Sequence, residues 1–245
     1  MSRQSVPPPR HRRSDPAARR DPRILGVVLA GGRSSRMGVD KATLWLDREV
    51  APRSSVAGGS RSSQPKRLTF LDHAIERLVP LVNRIVVAGR SIEPAAGSVR
   101  LPTPQWLTRG GDPVDVLGIA DDPPGLGPAT GVAMSLRQAI RLGYQAVLVT
   151  PIDMPDLTTD HLARLIARWA QTQRVVCAEF TTGRPEPMPA IYPAGYTDEI
   201  EILAASDHRG LRGWLAGQPF DPVALPAEAS RNVNRPEDLT MKDWR

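Results

Sequence analysis

The densest chemistry in this 245-residue chain lies in Leu29-Ala30-Gly31-Gly32-Arg33-Ser34-Ser35-Arg36-Met37-Gly38-Val39-Asp40-Lys41. Paired glycines let the backbone turn sharply and bring its N–H groups close to a ligand, because neither carries a Cβ. Arg33, Arg36 and Lys41 place positive charge around that turn. Amide donors and cations together suit a polyanion, and the combination points to a nucleoside triphosphate. Two familiar phosphate loops are excluded by spacing. A P-loop requires Gly-Lys followed by Ser or Thr, whereas Lys41 lies three residues after Gly38 and is followed by Ala42. A dinucleotide fingerprint requires three glycines more tightly spaced than Gly31, Gly32 and Gly38.

Two acidic positions complement the cations. Val149-Thr150-Pro151-Ile152-Asp153-Met154-Pro155 sets a carboxylate just beyond an apolar run. In open α/β sheets that is where ligands bind. Mg²⁺ takes one or two carboxylates plus phosphate oxygens and water, so Asp153 suits it, while a turn or N-cap aspartate before Pro155 is the structural alternative. Asp121-Asp122-Pro123-Pro124-Gly125-Leu126-Gly127-Pro128 places an acidic pair ahead of a turn into a helix, whose N-terminus favours negative charge. Cys177 is the sole cysteine, which excludes an intrachain disulfide and a cysteine-cluster zinc site; within Val175-Val176-Cys177-Ala178 it reads as a small buried hydrophobe.

The elements that must position these residues follow from apolar periodicity. Residues 24–30 read as a buried strand ending at the paired glycines. A helix over 69–78, a strand over 84–89, a helix over 129–142, a strand over 146–150, a helix over 159–172 and a strand over 175–178 come next. Strands alternating with helices of this length predict an α/β fold, a single three-layer α/β/α Rossmann-like domain with a mostly parallel sheet. The last third, with Pro185 to Tyr192 and short helices near Ile200 and Leu211, is less regular. Residues 48–67 and 92–116 read as long loops, the second with four prolines and three glycines.

The formal net charge of +6 is concentrated at one end. Residues 1–23 hold seven arginines against Asp15 and Asp21, a net of +5, and include Pro7-Pro8-Pro9. Such a segment buries too little apolar surface to fold, so 1–23 is expected to be a disordered basic arm before a domain at 24–245. The arm has no aromatic residue on which bases could stack, which argues against nucleic acid as a partner. No apolar run reaches membrane-span length, and 24–30 is too short for a signal-peptide core, so no membrane association and a cytoplasmic location are expected.

The first motif, as Leu29-Ala30-Gly31-Gly32-x-Ser-x-Arg36-Met37-Gly38-x-Asp40-Lys41, resembles the signature of the small nucleotidyltransferases that include molybdenum cofactor guanylyltransferase. Two further segments are similar to that branch: Gly183-Arg184-Pro185-Glu186-Pro187-Met188-Pro189-Ala190-Ile191-Tyr192, and Asn232-Val233-Asn234-Arg235-Pro236-Glu237-Asp238-Leu239. The resemblance covers most of 24–240 except the two long loops, which look like insertions. It implies a fold of the nucleotide-diphospho-sugar transferase type. The implied reaction is Mg²⁺-dependent transfer of GMP from GTP to the terminal phosphate of molybdopterin, with release of pyrophosphate. It assigns nucleotide contacts to Leu29, Ala30, Gly31, Gly32, Lys41, Asp153 and Asp121, a one-residue gap leaving Asp122 as the alternative to Asp121. Catalysis falls to Arg36, Lys41 and Asp153, with the metal on Asp153. Asn232 and Asn234 fall on the acceptor side, Asn234 being placed also to cap a helix with Pro236 in its first turn. One departure is the lack of an asparagine in Val86-Val87-Ala88-Gly89, where the family often has one touching base or ribose. Gly31, where cytidylyl-transferring relatives tend to carry alanine, leaves room for a purine. A molybdopterin cytidylyltransferase is the nearest alternative, and a non-catalytic nucleotide-binding regulator a more distant one. A molybdenum-insertion enzyme or molybdoenzyme chaperone is a partner by resemblance only.

Overall fold

The computed structural model describes residues 21, 23–31, 40–46, 68–89, 114–120, 126–181, 183–235 and 238–239. In chain order the elements are β1 (Ile24–Leu29), a 3₁₀ turn (Lys41–Thr43), β2 (Trp45–Leu46), β3 (Leu68–Thr69), α1 (Phe70–Leu78), β4 (Arg84–Ala88) and β5 (Asp115–Ile119). There follow α2 (Pro128–Arg141), β6 (Ala146–Pro151), α3 (Thr159–Thr172), β7 (Val175–Thr181), β8 (Arg184–Pro193), α4 (Thr197–Ala205), α5 (Leu211–Ala216) and β9 (Phe220–Ala224). Seven strands form one sheet in the order β5-β4-β1-β6-β8-β7-β9, and β2 pairs separately with β3. All neighbours in the large sheet are parallel except β8, which runs antiparallel to both β6 and β7.

Side-chain alternation splits the central strands between two cores, as a sheet covered on both faces requires. Ile24, Val28, Ala146 and Leu148 pack with Ile75 and Leu78 of α1 and Leu162, Leu165 and Trp169 of α3. Leu25, Val27, Val147 and Val149 pack on the opposite face with Val132 and Leu136 of α2, Ile200 of α4 and Leu215 of α5. The helix starts are fixed locally. Thr69 and Asp72 form a reciprocal capping box at α1, and Thr158 does the same with His161 at α3.

Strand order reverses between β1 and β6, where Leu29 lies beside Pro151. Open α/β sheets bind ligands in the crevice beyond the strand C-termini at such a reversal. Ala30-Gly31 and Asp153 follow the two strands at that point.

Several elements depart from the sequence expectations. The expected loop 92–116 runs into β5, an edge strand whose mostly exposed residues give no hydrophobic stripe. Residues 92–113 of that loop, and all of 48–67, lie outside the described residues. Pro185 to Tyr192 belongs to β8, a ten-residue strand inside the sheet. Its prolines hide it, since proline cannot donate to a ladder. Only its second half meets β6, in a register that ends at Val149 opposite Ala190. The proline-rich first half pairs with β7 alone, with two register shifts. The Asp21 N–H donates to the Leu81 carbonyl (3.1 Å), and Arg23 pairs with Asp21 at 2.7 Å while its guanidinium lies 4.9 Å from the centre of the Trp169 ring.

Candidate active site

The site assembles from three segments far apart in sequence. β1 delivers Leu29, Ala30 and Gly31 to the crevice. The Ala30 N–H donates to the Ala88 carbonyl at 2.9 Å, so the chain leaves the sheet still tied to β4. Gly31 is exposed and its backbone presses against Gly89, the residue that ends β4 at φ +90°. A Cβ on Gly89 would lie 2.1 Å from the Gly31 Cα. Both the left-handed φ and this approach require glycine at 89.

Lys41 opens the 3₁₀ turn, which Asp40 caps by accepting the Ala42 N–H at 3.1 Å. Its Nζ donates to Asp153 Oδ2 at 3.2 Å and to Asn234 Oδ1 at 2.9 Å. The first motif, the aspartate beyond β6 and the C-terminal Asn-x-Asn segment therefore meet at one ammonium group. Asp153 is fixed from the other side too, since its carbonyl accepts the Val233 N–H at 2.8 Å. Val233 is fully buried with Leu46 and Phe70, and that burial anchors the segment by roughly 1.5–3 kcal/mol.

The Asn234 side chain, expected from local spacing to cap a helix, is turned to Lys41. Asp238 takes the capping role: its carboxylate accepts the N–H groups of Asn234 (2.7 Å) and Arg235 (2.8 Å). These two backbone bonds hold its carboxyl below the usual carboxylate range. Arg231 braces the same turn, pairing with Asp156 and donating to the Asp238 carbonyl at 3.2 Å.

A cavity of about 510 Å³ opens beside Asp153 and Asn234, lined also by Asn232, Phe180, Met188 and Arg212. It exists because β8 leaves β6 at Ala190, so that Pro187 and Met188 form a wall instead of a ladder. The Tyr192 hydroxyl donates to the Pro187 carbonyl at 2.6 Å and holds that wall. Burial pushes the Tyr192 phenol up, so it remains a donor. On the rim Glu186 pairs with Arg212 and lies 3.8 Å from Arg184 Nε.

The structure thus gathers Leu29, Ala30, Gly31, Lys41, Asp153, Asn232 and Asn234 around one crevice. Gly32, Arg36 and Asp121 lie outside the described residues. Among the described residues no three His, Cys, Asp or Glu side chains cluster as a closed metal cage. A single carboxylate at an open crevice fits a hard cation that keeps water and phosphate oxygens in its shell, as Mg²⁺ does. Sequence reasoning missed Arg77 and His73 of α1, which reach beneath the Asp153 loop. The signal for Arg77 was its place on the apolar stripe of α1, between Ala74 and Leu78.

Comparison with known proteins decides the family. The model of the MobA-like NTP transferase domain matches residues 26–223. The chain belongs to that family. A probable molybdenum cofactor guanylyltransferase of Rhodopirellula baltica is 36% identical over 220 residues, covering 89% of this chain and 90% of the relative. A molybdenum cofactor guanylyltransferase of Sinorhizobium fredii is 32% identical over 235 residues, with 91% and 92% covered. Membership of the MobA-like family makes the chain a nucleotidyltransferase. Among solved structures, the molybdopterin-guanine dinucleotide biosynthesis protein A of Archaeoglobus fulgidus superposes with a TM-score of 0.60 at 18% identity, covering 90% of this chain and 97% of that one. The 2-C-methyl-D-erythritol 4-phosphate cytidylyltransferase of Thermus thermophilus gives 0.51 at 17% identity, with 86% and 93% covered. At these identities the likeness is one of fold, and it agrees with the nucleotide-diphospho-sugar transferase type expected from the sequence. No helix among the described residues is long and apolar enough to cross a membrane.

Proposed function

We infer that this MobA-like nucleotidyltransferase transfers GMP from GTP to the terminal phosphate of molybdopterin. The convergence of Lys41, Asp153 and Asn234 carries the reading, because it joins the glycine-loop side of the crevice to the segment at the cavity. The names of the relatives favour guanine, and Gly31 adds room for a purine. An acceptor phosphate oxygen attacks the α-phosphorus of GTP; that P–O bond forms as the bond to the pyrophosphate oxygen breaks, and pyrophosphate leaves with the electron pair. The attacking oxygen is already ionised, so no strong general base is needed, and alignment with charge neutralisation supplies the rate.

Each residue then has a task. Gly31 and Gly32 offer backbone amides to phosphate oxygens, and Arg36 and Lys41 offset their charge. Lys41 turns from Asp153 to the phosphates when nucleotide enters. Asp153 holds Mg²⁺, which when bound neutralises charge on the phosphates. Asp121 contacts the nucleotide. Asn232, in the cavity wall, faces the pterin, and Asn234 sets Lys41 between the two substrates. Calorimetry with GTP, CTP, ATP and UTP in Mg²⁺, on wild type and Asp153→Ala, tests the reading. Preference for GTP that weakens without the aspartate is expected. Preference for CTP would move the protein to the cytidylyl branch, and no binding of any of the four would refute the nucleotidyl-transfer site.

A further inference from the structure

The loop from Pro151 to Leu157 must expose Asp153 on one side, yet it is only seven residues long and three of its hydrophobic members, Ile152, Met154 and Leu157, are buried. Its carbonyl groups are therefore drawn inward, where each requires a donor. One helix reaches four of them. Arg77 is 4% exposed, and its Nη1 donates to the carbonyls of Met154 (2.5 Å) and Leu157 (3.2 Å). Its Nη2 lies 3.5 Å from the Pro151 carbonyl, within reach of a third, longer bond. One turn earlier on the same face, His73 Nε2 donates to the Pro155 carbonyl at 2.9 Å. In return the Thr159 hydroxyl donates to the Arg77 carbonyl at 3.1 Å, clipping the start of α3 to the end of α1. The carbonyls of the residues immediately before and after Ile152-Asp153 are thus gathered by one planar guanidinium. Lysine, a point donor, cannot reproduce that fork.

We propose that Arg77 is the positioning residue for Asp153, setting the loop so that its carboxylate meets the metal and phosphates at the crevice. The assignment rests on the reading of Asp153 given above. Arg77 touches neither substrate nor metal, and it acts through the backbone on either side of the aspartate. Groups that orient a metal-binding carboxylate without touching the metal typically change metal affinity or activity by about 10–100-fold when lost.

The test is GTP affinity measured by calorimetry with and without Mg²⁺, the ratio of the two reporting the metal-dependent part. Arg77→Lys keeps the charge and stem but loses the fork. The ratio is expected to fall by about tenfold, while metal-free GTP affinity, which depends on the glycine loop and Lys41, stays within about twofold of wild type. Arg77→Met is expected to lower the ratio further, with Lys in its place restoring part of it. His73→Ala removes a single loop bond and gives the comparison a variant with the guanidinium intact, with a smaller fall in the ratio expected. An unchanged ratio in Arg77→Lys and His73→Ala, beside a clear Mg²⁺ dependence in wild type, would overturn the positioning role alone. Equal falls with and without Mg²⁺ would make Arg77 a plain structural residue. A wild-type affinity indifferent to Mg²⁺ would overturn both this role and the underlying reading of Asp153.

Discussion

Replacing Gly89 by alanine perturbs the nucleotide loop from behind, and its effect can be worked from the backbone. The new Cβ would lie 2.1 Å from the Gly31 Cα and 2.3 Å from the Gly31 nitrogen, whereas ordinary contact begins at 3.4 Å. The two segments must separate by about 1.3 Å, the difference between those distances. Gly89 cannot yield easily, because its N–H donates to the Ile119 carbonyl at 2.8 Å. The φ of +90° adds roughly 1–2 kcal/mol of left-handed strain for a residue with a Cβ. Overpacking adds about 1–3 kcal/mol. The sum, roughly 2–5 kcal/mol, lowers Tm by about 4–20 °C for a domain of this size. A displacement of about 1 Å in a substrate-positioning loop lowers turnover by about 100-fold. Gly143→Ala is the control, since φ there is +79° but nothing lies within 4 Å of the added Cβ. It incurs the left-handed strain alone, a Tm loss of roughly 2–8 °C, and sits at the opposite end of β6 from the crevice. Melting curves and pyrophosphate release with GTP and molybdopterin should therefore separate the two variants. Equal Tm losses and undiminished turnover in Gly89→Ala would refute the reasoning that Gly89 sets the glycine loop.

Three further outcomes are expected from the same geometry. The Cys177 thiol is fully buried and burial pushes its pKa up to about 12, so it should resist thiol reagents at pH 8 and react only on unfolding; fast labelling of the native protein would contradict that core placement. Asp238 has a depressed carboxyl, so its contribution to stability is complete above the ordinary carboxylate pKa and disappears as pH falls through the lowered value. Denaturant unfolding of wild type against Asp238→Asn should show a constant gap from neutral pH down to about pH 5 that closes only in stronger acid, and a gap that changes near pH 7 would point to another group. Asn232→Ala should raise KM for molybdopterin by roughly tenfold, the loss of about one good hydrogen bond, without altering GTP affinity. A change in GTP affinity instead would place Asn232 on the nucleotide.

Much of the site was legible because its chemistry lies at the ends of buried strands. Ile24-Leu25-Gly26-Val27-Val28 and Ala146-Val147-Leu148-Val149 announce the two central strands by unbroken apolar character, and the residues just beyond each strand must emerge at the crevice. The strands that escaped notice are those whose residues answer to other demands. In β5 three of five residues are exposed, and β9 carries Pro222, tolerable because it pairs with β7 alone. The prolines of β8 make a poor ladder and a good cavity wall. Arg77 is hidden for a related reason. Its task is to satisfy backbone carbonyls of a loop about 80 residues away, and only the folded chain brings them together. Local spacing makes Asn234 a cap, but the Lys41 ammonium, 193 residues away in sequence, claims its oxygen.

The most direct test of the central claim is to incubate the protein with GTP, Mg²⁺ and molybdopterin and monitor the products by mass spectrometry alongside pyrophosphate release. The account predicts the guanine dinucleotide form of the cofactor, one pyrophosphate per molecule formed, and a loss of about 100- to 1,000-fold in Asp153→Ala, the scale expected when one preorganised charge-stabilising group is removed. A cytosine dinucleotide formed in preference when CTP is supplied would contradict the choice of base. Tight GTP binding with no pyrophosphate released in the presence of molybdopterin would contradict the reaction itself.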